Sequence, residues 1–374
     1  MKKYQAVDLL KKLISIPSYV SDSVNEIEVG NFIFDFLSER TDLTIEKQEV
    51  EKGRFNIIAF KNKSPRIIFF GHMDTVPPKV ETTLPFEGRE EQGRIYGLGS
   101  VDMKAGLAIM LDIAQRHSNS DDLAFVFTVD EEYEFKGAYK LIEKYKFNPE
   151  YVINVEPTSL KILNGCRGVT EFAFKVHGTS AHAAMKSKGV NAIEKTVELF
   201  DLLQKDLMEF DRGDVKNSVN LAYLNGGYLD ENGGVGYSGN VVPNYAQCVG
   251  EIRLTDSRIT EKYLKKKFME LAEKIQVSVS DIQFKFLLGS MYTDRVDIKI
   301  FETAIIENGM ECEYASVNEG GYFEVQLLQE KWNGKVIVFG PGPYSNAHKV
   351  DEYVETETIE KTLDVFESFI KMVL

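Results

Sequence analysis

A chain of 374 residues exceeds the roughly 250 to 300 at which one hydrophobic core stops growing, so a division into domains is expected. A 43% hydrophobic and 27% charged composition is that of a globular protein and excludes disordered and collagen-like classes. The net charge of -14 argues against nucleic acid or an anionic membrane as partner, because either needs a basic stripe; the run Lys265, Lys266, Lys267 reads as a solvated helix face.

The first residues form an amphipathic stretch with Tyr4, Val7, Leu10 and Ile14 on one side, and lack the apolar run of a signal peptide. No window approaches the ~20 apolar residues of a membrane span. Cys166, Cys248 and Cys312 are scattered and odd in number, which suggests neither a disulfide framework nor a thiolate cluster. A cytoplasmic protein is expected.

Along the first half, apolar runs at 66–70, 123–129 and 151–155 read as buried strands, with helical patterns at 103–116 and 135–146 between them. This alternation predicts an α/β fold with a mostly parallel sheet covered by helices on both faces. Near residue 169 the pattern changes, as Phe172, Phe174 and Val176 alternate with polar neighbours. From there strand 170–177, helix 191–209, strands 218–224 and 246–254, helix 260–275 and strand 281–287 follow the β-α-β-β-α-β order of a ferredoxin-like α+β unit. The stretch Gly226 to Gly239 is glycine-rich and reads as a loop. Strand 336–339 and an amphipathic helix carrying Ile359, Leu363, Phe366 and Ile370 then return to the first style. The expected division is therefore 1–168 with 288–374 as one domain and 169–287 as an insertion.

Ligands of an open α/β sheet bind beyond the carboxyl ends of its strands, and polar candidates accumulate there. His72 and Asp74 follow the first run, Asp130, Glu131 and Glu132 the second, Glu156 the third, and His348 lies beyond the last. Asp102, taken alone, reads as a first-turn helix acid. A lone His-x-Asp or Asp-Glu-Glu is likewise ordinary surface chemistry. Together, however, these acids at one sheet edge would repel one another strongly, and cations would relieve that repulsion. A mixed His and carboxylate set without cysteine suits a catalytic site for zinc, with cobalt and manganese as alternatives. Two such ions sharing a carboxylate stand roughly 3.5 to 4 Å apart. Gly97-x-Gly99 lacks the third glycine of a dinucleotide fingerprint.

Five stretches in order, Gly71-His72-Met73-Asp74-Thr75-Val76-Pro77, Gly99 through Gly106, Asp130-Glu131-Glu132, Val155-Glu156-Pro157 and Gly340-Pro341-Gly342 through Ala347-His348, carry a resemblance. Across essentially its whole length the chain resembles the metallopeptidase family of acetylornithine deacetylase, succinyl-diaminopimelate desuccinylase, carboxypeptidase G and aminoacylase. The resemblance implies that His72 and Glu156 bind one metal ion, that Glu132 and His348 bind the other, and that Asp102 bridges them. It implies Glu131 as general base, Asp74 as the residue orienting the His72 ring, and a cis peptide after Asp102. It further implies that His182, in Gly178-Thr179-Ser180-Ala181-His182, stabilises the oxyanion in a partner subunit of a homodimer. Arg253, Asn240 and Arg167 match positions that contact a substrate carboxylate, although each arginine is equally placed to pair with a neighbouring acid. His117 and His177 carry no such implication.

The expected activity is removal of the acyl group from an N-acyl amino acid, with N-acetylornithine first, and with di- or tripeptides or N-succinyl-diaminopimelate as alternatives. One departure bears on this preference: Asn318-Glu319-Gly320-Gly321-Tyr322-Phe323 stands where many relatives carry a Gly-Thr-Ser/Asp-Asp turn. A non-catalytic binding protein on the same fold is the remote alternative, disfavoured by retention of every implied ligand and of Glu131.

Overall fold

The computed structural model describes residues 5–230 and 232–374; Tyr4 of the N-terminal face and Glu231 of the glycine-rich stretch lie outside them. The chain divides into two compact units, Met1–Gly165 with Tyr292–Ser316 and Phe323–Leu374, and Cys166–Met291 with Val317–Tyr322.

The first unit is built on a six-stranded sheet in the spatial order Thr44–Glu51, Arg54–Phe60, Leu123–Thr128, Ile67–His72, Tyr151–Asn154 and Lys335–Val338. The last four strands pair in parallel, while Thr44–Glu51 and Arg54–Phe60 form an antiparallel hairpin at one edge. The parallel strands read as unbroken apolar runs because both faces are covered. Ile67 and Phe69 join the same cluster as Phe125, Ile153 and Ile337, packed with Leu107, Met110 and Leu111 of the helix Ala105–Arg116 and Leu363 and Phe366 of Thr356–Val373. Successive strand residues point to opposite faces, so Ile68, Phe70, Val126 and Val152, equally buried, belong to the other side. Phe301 and Phe366 close the first cluster with ring contacts to Phe339 at 5.2 and 6.0 Å.

Helix Ala105–Arg116 approaches the sheet so closely that Gly106 has no room for a side chain. A Cβ there would stand 2.3 Å from the Val155 carbonyl oxygen and 2.7 Å from Met103 Cε. Gly106→Ala is therefore expected to destabilise the protein by about 1–3 kcal/mol through overpacking, despite alanine's better helix propensity, and urea unfolding midpoints measure this. An unchanged or raised midpoint would show that the backbone beside Val155 yields without cost.

In the second unit the sheet order is Val235–Gly236, Ser218–Leu229, Tyr245–Leu254, Gly168–His177 and Ser278–Leu288, all antiparallel, and the last four strands have the ferredoxin-like arrangement. Alternation along Gly168–His177 buries Phe172, Phe174 and Val176 against Leu199, Phe200 and Leu203 of the helix Ala192–Leu207 and Leu264 and Phe268 of Glu261–Lys274. Asn191 caps the first helix through the N–H groups of Ile193 and Glu194, and Thr260 caps the second through that of Tyr263. The glycine-rich stretch is in part strand, with Tyr228 and Leu229 paired to Gly236 and Val235. No helix among the described residues is long and apolar enough to cross a membrane.

Candidate metal centre

His72 is the last residue of the strand Ile67–His72, and its ring is buried. Its Nδ1 lies 3.0 Å from the backbone oxygen of Asp74 and 3.4 Å from Asp74 Oδ1. A proton on Nδ1 donated to that oxygen leaves the Nε2 lone pair facing Asp102 Oδ1 at 3.1 Å and Glu156 Oε1 at 3.5 Å. Glu156 follows the neighbouring strand Tyr151–Asn154 by two residues.

Leu123–Thr128, the strand on the other side, ends in a turn in which Asp130 takes a left-handed φ of 74°. The turn presents Glu131 and Glu132, whose backbone N–H groups donate to Asp74 Oδ1 at 3.1 Å and Oδ2 at 2.9 Å. The Asp74 carboxylate thus holds the Glu131–Glu132 backbone more closely than it holds the His72 ring, which leans on the Asp74 main chain.

Asp102 precedes a cis peptide bond to Met103. One of its oxygens faces His72, and the other lies 3.5 Å from His348 Nε2, which is itself 3.0 Å from Glu132 Oε1. Two triads result, His72–Asp102–Glu156 and Asp102–Glu132–His348, with the ligand atoms of each within 4.8 Å of one another. Asp102 belongs to both. Three carboxylates and two imidazoles arranged in two groups around a common acid fit a pair of divalent cations, zinc among them.

Electrostatics support that fit. Burial pushes the Glu156 carboxyl well above its usual range; His72 opposes this, while Asp102 and Glu132 add to it. Glu131 is raised in the same way, by burial and then by Glu156 and Glu132 against the pull of His72. Burial raises Glu132 despite the hydrogen bond from His348. Burial pulls the His72 imidazole down, but Glu156, Asp102 and Asp74 together hold it well above its ordinary value. Acids crowded to this degree call for positive charge between them.

Three further buried groups were not singled out for a role from the sequence. Glu352 accepts backbone hydrogen bonds from Gly99, Val101 and Asp102 at 2.9, 2.8 and 3.1 Å, and so fixes the turn that carries the shared acid. Burial pushes its carboxyl up to about 7 against those three donors. Lys104 is buried, with Nζ 2.8 Å from the Ile16 carbonyl oxygen, and burial draws its ammonium down to about 7. Glu324 meets the Thr128 hydroxyl through one oxygen, and burial pushes its carboxyl up to about 8. The only signal that could have found Glu352 is its place in the Asp351-Glu352-Tyr353 run after His348; its partners lie some 250 residues away.

The remaining expected site residues lie in the second unit. His182 is exposed, and its Nδ1 accepts from the Ala184 N–H at 3.1 Å, which places the proton of a neutral ring on Nε2. Arg253 donates through Nε to Glu251 Oε1 at 2.8 Å and lies 5.2 Å from the Tyr322 ring. Arg167 donates to the Lys216 carbonyl, the Ser218 hydroxyl and the Asn318 carbonyl at 3.1, 3.2 and 2.5 Å. The Asn240 side-chain oxygen accepts from Ser238 at 2.6 Å. His117 and His177 are engaged elsewhere, with Glu367 and Ser280.

Comparison with known proteins places the chain in a family. The model of peptidase family M20/M25/M40 matches residues 68–372. A probable carboxypeptidase of Aspergillus clavatus is 28% identical over 97% of this chain and 88% of its own length. The acetylornithine deacetylase of Buchnera aphidicola subsp. Schizaphis graminum is 26% identical over 98% of this chain and 97% of its own. Among solved structures, a Bacillus subtilis protein described as a dinuclear metal binding peptidase of family M20 superposes with a TM-score of 0.69 at 17% identity, covering 99% of this chain and 98% of that one. The chain belongs to peptidase family M20/M25/M40 and is a hydrolase acting on amide or peptide bonds.

Proposed function

We propose that this hydrolase removes the acyl group from an N-acyl amino acid, with N-acetylornithine as the first substrate, in a cytoplasmic setting supported by the odd number and wide spacing of its three cysteines. The observation that carries the chemistry is the sharing of Asp102 between two His and carboxylate triads. His72 and Glu156 would hold one ion, Glu132 and His348 the other, and Asp102 both; zinc suits the set, with cobalt and manganese as alternatives. Bound there, the ions would supply Lewis acidity, making a water more acidic and polarising the scissile carbonyl.

The chain's own groups handle protons and orientation. Glu131 takes a proton from the attacking water and passes it to the leaving amine nitrogen, so the amide C–N bond breaks with no covalent enzyme intermediate. Asp74 keeps Glu131 and Glu132 in register through their N–H groups. His182, with its proton on Nε2, is suited to donate to the developing oxyanion, and we assign it to the active site of the partner in a homodimer. Arg253, Asn240 and Arg167 are assigned to the substrate carboxylate. Arg253 would exchange its Glu251 contact for substrate. The acetyl preference is supported by the end-to-end likeness to an acetylornithine deacetylase and by Gly340-Pro341-Gly342 with Ala347-His348 and Asp351-Glu352-Tyr353, which among family members resemble acetylornithine deacetylase.

Likeness to a carboxypeptidase at slightly higher identity favours a second reading, cleavage of di- or tripeptides. N-succinyl-diaminopimelate remains a third substrate to be assayed. Turnover of N-acetylornithine, N-acetylcitrulline, N-succinyl-diaminopimelate and a set of dipeptides, with metal content recorded on the same sample, decides between them. Highest kcat/KM on N-acetylornithine is expected. Preference for a dipeptide by more than about tenfold would replace the deacetylase reading, and activity indifferent to chelators would remove the metal mechanism with it.

A further inference from the structure

Besides the two triads, the first unit contains a second cluster of buried charge behind the Glu131–Glu132 turn. Glu26, Arg54 and Asp130 are 1%, 7% and 2% exposed. Arg54 grips Glu26 with two bonds, Nε to Oε2 at 2.8 Å and Nη2 to Oε1 at 2.5 Å. The same Nη2 reaches Asp130 Oδ1 at 2.7 Å, and Nη1 reaches Glu51 Oε2 at 2.7 Å. Glu26 Oε1 also accepts the Asp130 backbone N–H at 3.2 Å, and Asp130 Oδ2 accepts the N–H of Lys136 at 3.3 Å. Asp130 is therefore tied by main chain and side chain together, in a left-handed conformation that aspartate tolerates better than most non-glycine residues.

The next two residues along the chain are Glu131 and Glu132. Asp74 fixes their N–H groups from one side, and the Arg54 cluster fixes the residue before them from the other. Two buried carboxylates lean on one guanidinium nitrogen. Removing the guanidinium leaves them facing each other without a counter-charge, and the simplest relief is for Asp130 to turn away, carrying Glu131 with it.

We infer that Arg54, locked in place by Glu26, is a positioning residue for Glu131 and Glu132, acting through Asp130. The inference rests on the reading of Glu131 as general base.

The test uses the zinc-loaded full chain and its best substrate, with Arg54→Met, Asp130→Asn, the double variant, and Glu131→Gln as reference. A misplacement of about 1 Å costs on the order of 100-fold, so Arg54→Met should lower kcat about 10- to 100-fold with KM within about twofold. Because Glu132 shares the turn, calorimetric titration of the metal-free protein with zinc should show the same stoichiometry but one site weakened about tenfold. The double variant should be no slower than the worse single variant, since both act through one contact. Wild-type kcat or a wild-type zinc isotherm in a folded Arg54→Met protein overturns the inference, as do effects that multiply in the double variant. If Arg54→Met does not fold, Glu26→Gln carries the test, with kcat expected to fall at least threefold and an unchanged kcat overturning the inference. A Glu131→Gln protein with full turnover removes the base assignment and this inference together; an inactive Glu131→Gln beside a fully active Arg54→Met removes the inference alone.

Discussion

Glu131→Gln is expected to lower kcat by at least about 100-fold while leaving the bound metal and the fold unchanged, as the loss of an acid-base group usually does. Glutamine matches glutamate in size, and the backbone N–H of residue 131 still donates to Asp74, so the turn keeps its shape. What is lost is the capacity to take a proton. That capacity is enhanced here, because burial, Glu156 and Glu132 raise the carboxyl well above its usual range while His72 opposes them. A stronger base is the consequence, and cations bound at the triads would oppose the rise. A 100-fold loss corresponds to about 2.7 kcal/mol of barrier. Steady-state kinetics and metal analysis on one preparation measure both halves, and turnover within tenfold of wild type would show that another group moves the proton.

Much of the architecture was legible because its pattern is local. Strands such as Leu123–Thr128 are buried on both faces and read as continuous apolar runs, while Gly168–His177 is covered on one face and alternates. The change between these two patterns near residue 169 marks where the second style of packing begins. The carboxyl-end rule for open sheets then gathered His72, Asp74, Asp130, Glu131, Glu132, Glu156 and His348 as candidates, and the family resemblance sorted them into roles. Boundaries were less accurate: the run at 66–70 extends two residues further, so His72 is itself part of a strand and not a loop residue beyond it.

Less legible were features whose partners lie far apart in the chain. The edge hairpin Thr44–Glu51 with Arg54–Phe60 has an exposed, charged outer strand with no strong apolar period. Glu352 becomes meaningful only when its carboxylate meets the N–H groups near Asp102, and Arg54 only when Glu26 and Asp130 close around it. A lone acid or arginine in a sequence carries no mark of such a partner. The same limit applies to Arg253, whose guanidinium meets Glu251 two residues away, a pairing that sequence alone left open beside the substrate role.

Asp102→Asn should have a larger effect than Glu131→Gln, and of a different kind. Asp102 is the one residue common to both triads, offering one oxygen to each side, so a neutral amide weakens both at once. Loss of at least one bound ion per chain is expected, with kcat falling by about 1000-fold or more, since bound ions supply several kcal/mol of charge stabilisation and each 1.36 kcal/mol is tenfold. Stability should respond differently in the two metal states. In the presence of zinc the wild type gains from ligand binding and unfolds at the higher temperature. Without metal, Asp102 repels Glu156 and Glu132 but attracts the His72 and His348 imidazoles, so its neutralisation should cost much less there and the gap between the two proteins should narrow. Thermal unfolding of both proteins with zinc and with chelator tests this narrowing. If the variant retains two ions per chain, or the gap is as wide with chelator as with zinc, then Asp102 does not join the two triads.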